Sequence, residues 1–250
     1  MTNTRKTTRI ASIVLTLAML LSLICAVGTV TAGAAADRVS LYCSNVTFSR
    51  TGAVSYEAYV QTRDNAKSQE VYIHYYYTDT LGWQDAKAEF VTTLDDGSKI
   101  WKATFCSLNT KYAIKYIADG VTYWDNNNGR DYNGSERIGT APVTAERLGF
   151  QYYCNNNFRI NAVLQNYAYH KNVFVRYTTD GWNSYRDQSL RYDRTNGDGT
   201  ETWTTSLGID INDYANSDRF QYAICYSVNG RTYWANNFGA NYGYGFSIRH

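Results

Sequence analysis

Aromatic residues beside polar side chains are the strongest candidates for chemistry in this chain. Residues 123–132 and 233–242 are identical at six of ten positions, and each segment begins with a Tyr-Trp pair. Because neighbouring strand residues face opposite sides, one aromatic of each pair must point outward. An exposed ring beside amides can stack on the apolar face of a sugar and bind its hydroxyl groups. The residues concerned are Trp124, Asp125, Asn126 and Asn127 in the first segment and Trp234, Asn236 and Asn237 in the second. The same Asn-Asn pairs would also suit a turn without any ligand.

A second pair of tryptophans follows turn sequences. Trp83 comes after Thr-Asp-Thr-Leu-Gly, and Trp182 comes after Thr-Thr-Asp-Gly. Such segments end a strand and expose the residue that follows, so we expect Trp83 and Trp182 at the surface. Trp101 and Trp203 lie in alternating apolar and polar stretches, and we expect both in the core.

The six tryptophans indicate an internal duplication. Three landmarks recur in one order at offsets of 99, 102 and 110 residues, and they are Trp83, Trp101 and Trp124 followed by Trp182, Trp203 and Trp234. Alternating β-branched and aromatic residues surround the dipeptides Asp119-Gly120 and Asn229-Gly230, which suit two-residue type I′ hairpins. Each repeat of about 105 residues is long enough for one β-sandwich core.

The sequence therefore predicts an all-β chain of two tandem, immunoglobulin-like antiparallel β-sandwich modules, residues 37–140 and 145–250. Residues 1–36 are predicted to be a secretory signal peptide, because a basic start leads into an apolar run and an A-x-A-like site. The apolar run is also long enough for an uncleaved membrane anchor. Cleavage predicts a secreted protein, in solution or at the cell surface, without membrane contact of its own.

Charge and composition exclude several classes of function. The segment 1–36 carries three positive charges and no negative ones, so its removal takes the formal net charge from +2 to −1. A chain without concentrated positive charge is a poor partner for nucleic acid. A glycosidase would need two carboxylates across a cleft, and the Asp/Glu positions that recur in both halves are the turn residues Asp79 and Asp180. The three histidines have no metal-ligand spacing. We expect no catalysis, no cofactor and no metal.

The four cysteines after residue 36 permit two interpretations. An even number in an oxidising compartment suggests disulfides, and the simplest pairing is Cys43 with Cys106 and Cys154 with Cys225. Buried free thiols are the alternative, since cysteine packs as a small hydrophobic residue.

Three segments together, residues 166–182, 222–226 and 229–242, closely resemble carbohydrate-binding module family 21, which comprises starch- and glycogen-binding modules. The resemblance covers roughly residues 54–132 and 150–245. It implies an α-glucan such as starch, glycogen or a malto-oligosaccharide as the partner of a monomeric protein.

The resemblance also implies where sugar binds. One family site would pair Trp83 with Trp124 in the first repeat and Trp182 with Trp234 in the second, with polar contacts from Asp125, Asn126, Asn127, Asn236 and Asn237. A second family site matches Asn166, Tyr169 and Lys171. The first repeat departs from the pattern at residues 63–69, which makes a second site there doubtful.

A pair of immunoglobulin-like modules that bind another protein is the alternative function. Outward tyrosine and tryptophan would then form a protein interface, where both residues are enriched. Duplication of the aromatic and amide set favours the glucan, because a polymer of identical sugars rewards a repeated site and a protein interface does not require one.

Overall fold

The computed structural model describes residues 29–30, 38–48, 54–106, 111–146, 158–210 and 218–243. Of the predicted signal peptide, only Thr29–Val30 falls within these ranges. It forms the short strand β1, which runs parallel to β9. Across the described ranges the chain contains no helix with the length and apolar character of a membrane span.

The strands of the first half include those predicted from the alternation of β-branched and aromatic residues. They are β2 (Val39–Phe48), β3 (Val54–Thr62), β4 (Gln69–Thr78), β5 (Gly82–Lys87), β6 (Glu89–Thr93), β7 (Lys99–Cys106), β8 (Tyr112–Ala118) and β9 (Val121–Asp125). They form two sheets, which we call the first front sheet, in the order β1-β9-β8-β4-β5, and the first back sheet, in the order β2-β3-β7-β6.

The second half repeats this arrangement. Its strands are β10 (Val143–Glu146), β11 (Phe158–Leu164), β12 (Lys171–Thr178), β13 (Arg186–Ser189), β14 (Arg191–Thr195), β15 (Glu201–Leu207), β16 (Gln221–Val228), β17 (Arg231–Ala235) and β18 (Tyr242–Gly243). The second front sheet has the order β13-β12-β16-β17, with β18 beside β16, and the second back sheet has the order β10-β11-β15-β14. The predicted all-β class of antiparallel β-sandwiches is confirmed.

Aromatic residues build much of each core. The central front strands turn Tyr112, Ile114 and Tyr116 inward in the first module and Tyr222, Ile224 and Tyr226 inward in the second. The four tyrosines are among the largest fully buried side chains. A substantial part of the chain's excess of 24 tyrosines therefore serves packing rather than binding.

Tight hairpins set the register of the central front strands. In the turn between β8 and β9, Asp119 has φ 48° and Gly120 φ 83°, and in the turn between β16 and β17, Asn229 has φ 51° and Gly230 φ 73°. Two successive positive φ angles are the signature of a type I′ turn. The predicted hairpins are confirmed.

A third apolar cluster joins the two modules. Cys43, Tyr59 and Ile100 on the outer side of the first back sheet pack with Ala141 and with Val163 of β11. Phe238 of the second module approaches the rings of Tyr42 and Tyr59, with centroids 5.9 and 5.1 Å away. Gly139 permits the close approach of the connecting segment, because a Cβ there would lie 2.0 Å from the carbonyl oxygen of Leu41.

Of the two interpretations of the cysteines, free thiols describe Cys43 and Cys106. Cys43 lies opposite Tyr59 of β3, and Cys106 lies opposite Ser55 of the same strand. Those positions are four residues apart, about 13 Å along an extended strand, which is too far for a disulfide. Burial raises the pKa of the Cys43 thiol to about 12, so it stays protonated. Cys225 is also free, and Cys154 lies outside the described residues.

The shared cluster leads to a prediction about stability. We expect Phe238→Ala to lower the free energy of unfolding by about 2 kcal/mol, because it removes apolar contacts and leaves a partial cavity. Separately expressed residues 37–140 and 141–250, the second of which keeps β10 whole, should fold as β-proteins but melt below the full chain. Calorimetry of all forms measures this, with Tyr192→Ala, an exposed aromatic of the second back sheet, as the control. Equal melting temperatures for the isolated halves and the full chain would show that the cluster contributes no coupling.

Candidate functional site

The outer face of the first front sheet carries a row of aromatic and charged side chains. Its inner face holds Val71 and Ile73 in the core, so strand alternation turns His74 outward. His74 lies opposite Asp85 of β5 and Ala113 of β8. Trp83 lies two residues before Asp85 on β5, and Trp124 lies on β9, beyond β8 and opposite Lys115.

His74 brings the two tryptophans together. Its ring stacks on Trp83 with centroids 4.8 Å apart and planes 5° apart. It meets Trp124 edge to face at 5.2 Å. Trp83 is 40% exposed and Trp124 is half-buried, while Tyr123, beside Trp124 in the chain, points into the core. The result is an aromatic surface formed by His74, Trp83 and Trp124, which Tyr76 extends by contacting Trp83 edge to face at 5.5 Å.

Charges in this row are internally balanced. Asp85 accepts from His74 Nδ1 at 2.6 Å and from Lys115 Nζ at 2.9 Å. Burial alone would raise the pKa of Asp85, but these two hydrogen bonds outweigh it and hold the pKa below its usual value. Lys115 also lies over the Trp124 ring at 5.9 Å. The surface therefore presents ring faces with little net charge.

The second front sheet has a related row with a different centre. Arg176 and Asp187 lie opposite each other, as His74 and Asp85 do 102 residues earlier. The guanidinium binds the carboxylate through two hydrogen bonds of 2.8 and 2.7 Å. It lies over the rings of Tyr185 at 4.2 Å and Trp234 at 5.5 Å. Trp234 is 43% exposed.

The register corrects the pairing of Trp83 with Trp182. In the first module Trp83 lies opposite Tyr76, and the same offset of 102 residues leads to Tyr185 in the second. The physical reason is loop length. Three residues connect β4 to β5, whereas seven connect β12 to β13, so equal distance from the strand end does not give equal position on the sheet. Tyr185 was missed by sequence reasoning, although its spacing from Arg176 equals that of Trp83 from His74.

Trp182 itself occupies the longer turn, with φ 68°. Its indole N–H donates to Gln221 Oε1 at 2.6 Å, and the side chain is half-buried. Gln221 shares the outer side of β16 with Cys225, the residue opposite Trp234. Four residues along a strand place Trp182's partner about 13 Å from the Trp234 position. Trp182 therefore extends the second aromatic row at its far end instead of standing beside Trp234.

Asp180 in the same turn is poorly suited to act as a general acid. Its carboxylate accepts from the hydroxyl and backbone N–H of Ser184 and from the Thr178 hydroxyl, which lowers its pKa to about 2. In the described part of the chain, no group of three His, Cys, Asp or Glu side chains is arranged to hold a metal ion.

The Asn-Asn pairs make the same turn bonds twice. Asn126 Oδ1 accepts from Gly129 N at 2.9 Å, and Asn236 Oδ1 accepts from Gly239 N at 3.2 Å. Asn127 Nδ2 and Asn237 Nδ2 each donate to a backbone carbonyl four residues on, at 3.2 Å. These amides therefore stabilise the turns, which the sequence analysis gave as the alternative to sugar binding. Sugar contacts from them stay a prediction.

Asp125 is also engaged within its own loop. It accepts from Asn127 N at 3.1 Å and from the Tyr132 hydroxyl at 2.6 Å. Ala235 takes its place in the second module, so this carboxylate supports the turn of one module only.

The predicted second site contains an exposed aromatic residue, Tyr169, and a buried charged residue, Lys171. Lys171 Nζ donates to Asn166 Oδ1 at 2.6 Å and to Glu201 Oε2 at 2.8 Å, and its side chain is only 2% exposed. The Trp203 indole donates to the same Glu201 oxygen at 2.8 Å. Tyr169, in contrast, is 91% exposed. The structure thus gives Lys171 a structural ion pair and leaves Tyr169 and Asn166 accessible.

The tryptophans predicted for the core lie at its margin. Trp101 and Trp203 are half-buried and pack against the core clusters of their modules. Each indole N–H has an internal acceptor, Thr62 Oγ1 at 3.0 Å for Trp101 and Glu201 for Trp203.

Comparison with known proteins finds a family match within the second half of the chain. Residues 141–244 match the family described as carbohydrate/starch-binding module (family 21). The resemblance found in the sequence is confirmed for this region. That residues 37–140 form another module of the same family stays a prediction.

Relatives match over a limited length. Over 80 residues the chain is 39% identical to protein phosphatase 1 regulatory subunit 3B of Bos taurus, a match that covers 32% of this chain and 28% of that protein. Over 79 residues it is 34% identical to glycogen-binding subunit 76A of Drosophila melanogaster, covering 32% of this chain and 12% of the relative. The chain thus spans less than a third of the length of these relatives. Among solved structures, the starch-binding domain of Rhizopus oryzae glucoamylase, in complex with β-cyclodextrin and maltoheptaose, has 22% identity and a TM-score of 0.34, covering 39% of this chain and 92% of that domain.

The difference in burial between Trp203 and Trp234 predicts different effects on stability when each is replaced by alanine. Trp203→Ala should lower the free energy of unfolding by about 3 kcal/mol, because it removes a ring packed on the core. Trp234→Ala should change it by less than about 1 kcal/mol, since the ring is largely at the surface. Urea unfolding of both variants measures the difference. A larger loss for Trp234→Ala than for Trp203→Ala would reverse the assignment of core and surface.

Proposed function

We propose that this chain is a secreted, non-catalytic protein that binds α-glucans such as starch and glycogen through two modules. The observation that carries the proposal is the aromatic row on each front sheet, Trp83, His74 and Trp124 in the first and Tyr185, Arg176 and Trp234 in the second. The family match of residues 141–244 supports starch or glycogen as the class of ligand.

The physical basis is stacking on a preorganised surface. The apolar C–H face of a glucose unit covers a ring of Trp or Tyr, and desolvation of both faces stabilises the contact. His74 and Arg176 hold their neighbouring rings in place through ring and cation contacts. Little side-chain entropy is therefore lost when a sugar binds.

Polar groups near each row would orient the sugar. In the first module these are Asp125, Asn126 and Asn127, and in the second Asn236 and Asn237, each with hydrogen-bonding capacity beyond the turn bonds described above. Trp182 would take a further unit of the chain at the end of the second row. Asn166 and Tyr169 would form a second, weaker site, positioned by Lys171.

Two sites on one polypeptide suit a long polymer. Once one module holds the glucan, the other meets the same chain at a high effective concentration, which can raise avidity by about 10²–10⁴ fold if the geometry allows both to engage. The predicted signal peptide, residues 1–36, supports an extracellular location, and the near-neutral charge supports a partner other than nucleic acid or an anionic membrane.

Co-sedimentation with insoluble starch tests the proposal, with cellulose as the comparison polymer. The unchanged chain should sediment with starch and stay in solution with cellulose. Trp124→Ala and Trp234→Ala should each weaken binding by about tenfold, equivalent to about 1.4 kcal/mol, and the double variant should lose most of it. Phe90→Ala removes an exposed aromatic of the first back sheet and serves as the matched control.

Two results would count against this function. Equal retention on starch and cellulose would remove the specificity for α-glucan. Undiminished starch binding by the folded double variant would mean that the front-sheet rows are not the sites, and a protein-binding role for these aromatics would then be favoured.

A further inference from the structure

A groove of about 580 Å³ runs along the junction of the two modules. One wall comes from the second module and includes Trp234, Asn236 and Asn237, the residues that the proposed function assigns to sugar binding. The opposite wall comes from the first module and includes Tyr42, Asn45 and Tyr59. The groove therefore begins at the second module's proposed site and ends on the first module.

The lining has the mixed character that suits a sugar chain. Phe238, Tyr42 and Tyr59 supply aromatic surface, held together by ring contacts of 5.1 and 5.9 Å. Phe238 has φ 56° and ψ 38°, a left-handed conformation that is uncommon for a bulky residue. Such a conformation persists where the surroundings require it, often at ligand sites. Here it turns the ring of a front-sheet loop onto the first module.

Asn45 is the observation that points to a ligand. The residue is 4% exposed, it lines the groove, and its side-chain oxygen has no hydrogen-bond partner within the described protein. Buried polar atoms in proteins are almost always paired, and an unpaired one is costly. The oxygen itself is buried, and a rotation of the Asn45 side chain toward the groove would let a hydroxyl group donate to this acceptor.

We propose that a glucan chain bound at Trp234 continues into this groove and donates a hydroxyl hydrogen bond to Asn45 Oδ1 of the first module. The affinity of the second module's site then depends on the length of the oligosaccharide, because only a longer one reaches across the junction. This inference rests on the proposed function and adds a substrate preference to it. It also gives the shared apolar cluster a role, since the cluster holds both walls at a fixed separation.

Calorimetric titration with maltotriose and maltoheptaose tests the proposal. The full chain carries Trp83→Ala and Trp124→Ala, so that binding reports on the second module. In that background maltoheptaose should bind about tenfold more tightly than maltotriose, since more contacts are made on one preorganised surface. Asn45→Leu should remove most of this difference and leave maltotriose binding unchanged. Its melting temperature should not fall, because the oxygen has no protein partner to lose.

A substitution that places a large side chain in the groove gives an independent test of the proposal. Thr93 is an exposed residue of β6 that lines the groove, and Thr104 is an exposed residue of the adjacent strand β7 outside it. Thr93→Arg should reduce the preference for maltoheptaose, and Thr104→Arg should not.

The outcomes separate this inference from the proposed function. Equal affinity for the two sugars in the background chain, or an unchanged preference in both Asn45→Leu and Thr93→Arg, overturns the groove and leaves the Trp234 site standing. An equal loss from Thr104→Arg also overturns it. Failure of both sugars to bind at all refutes the proposed function, and the groove with it.

Discussion

The alternation of side chains along the central front strands is the constraint on which the rest of the structure depends. Val71 and Ile73, and Val173 and Val175 102 residues later, must be buried for each sandwich to have a core. A strand that buries every second residue has no freedom in where the others point. His74 and Arg176 are thereby placed outward, at the centre of the aromatic rows. Burial in the core and exposure of the site are two consequences of one pattern.

Much of the fold could be predicted because it follows from short-range rules. Period-two patterns predicted the central strands, and Asp-Gly and Asn-Gly dipeptides predicted the hairpins that set the register of β8 with β9 and β16 with β17. The position of Tyr185 could not be predicted as easily. Its equivalence to Trp83 depends on the lengths of two irregular turns, and the sequence offered Trp182, which also follows a turn, as the counterpart. The same limit applies to Cys43 and Cys106, whose separation depends on strand order and not on their positions in the chain.

The two modules differ along their front-sheet rows and in one side-chain pair that is not part of those rows. His74 is replaced by Arg176, Trp83 by Tyr185, and the ion pair of Lys171 with Glu201 by a bond from Lys99 to Gln69 at 2.6 Å. The cores and turns, in contrast, are closely repeated. Under the proposed function, a shared scaffold with a varied surface row would give two sites that bind one type of polymer with unequal strength. The apolar cluster around Tyr59 and Phe238 holds them in one relative orientation.

The central claim is that the front-sheet aromatic rows, and not the tryptophans at the core margin, bind α-glucan. The six indole N–H groups give separate signals in a nitrogen–proton correlation spectrum of the full chain, and each can be assigned by single substitution. On titration with maltoheptaose, the signals of Trp83, Trp124 and Trp234 should shift most, while those of Trp101 and Trp203, which donate to internal acceptors, should stay in place; a β-linked glucose oligomer of equal length should shift none. Shifts confined to Trp101 and Trp203, or equal responses to both sugars, would contradict the account.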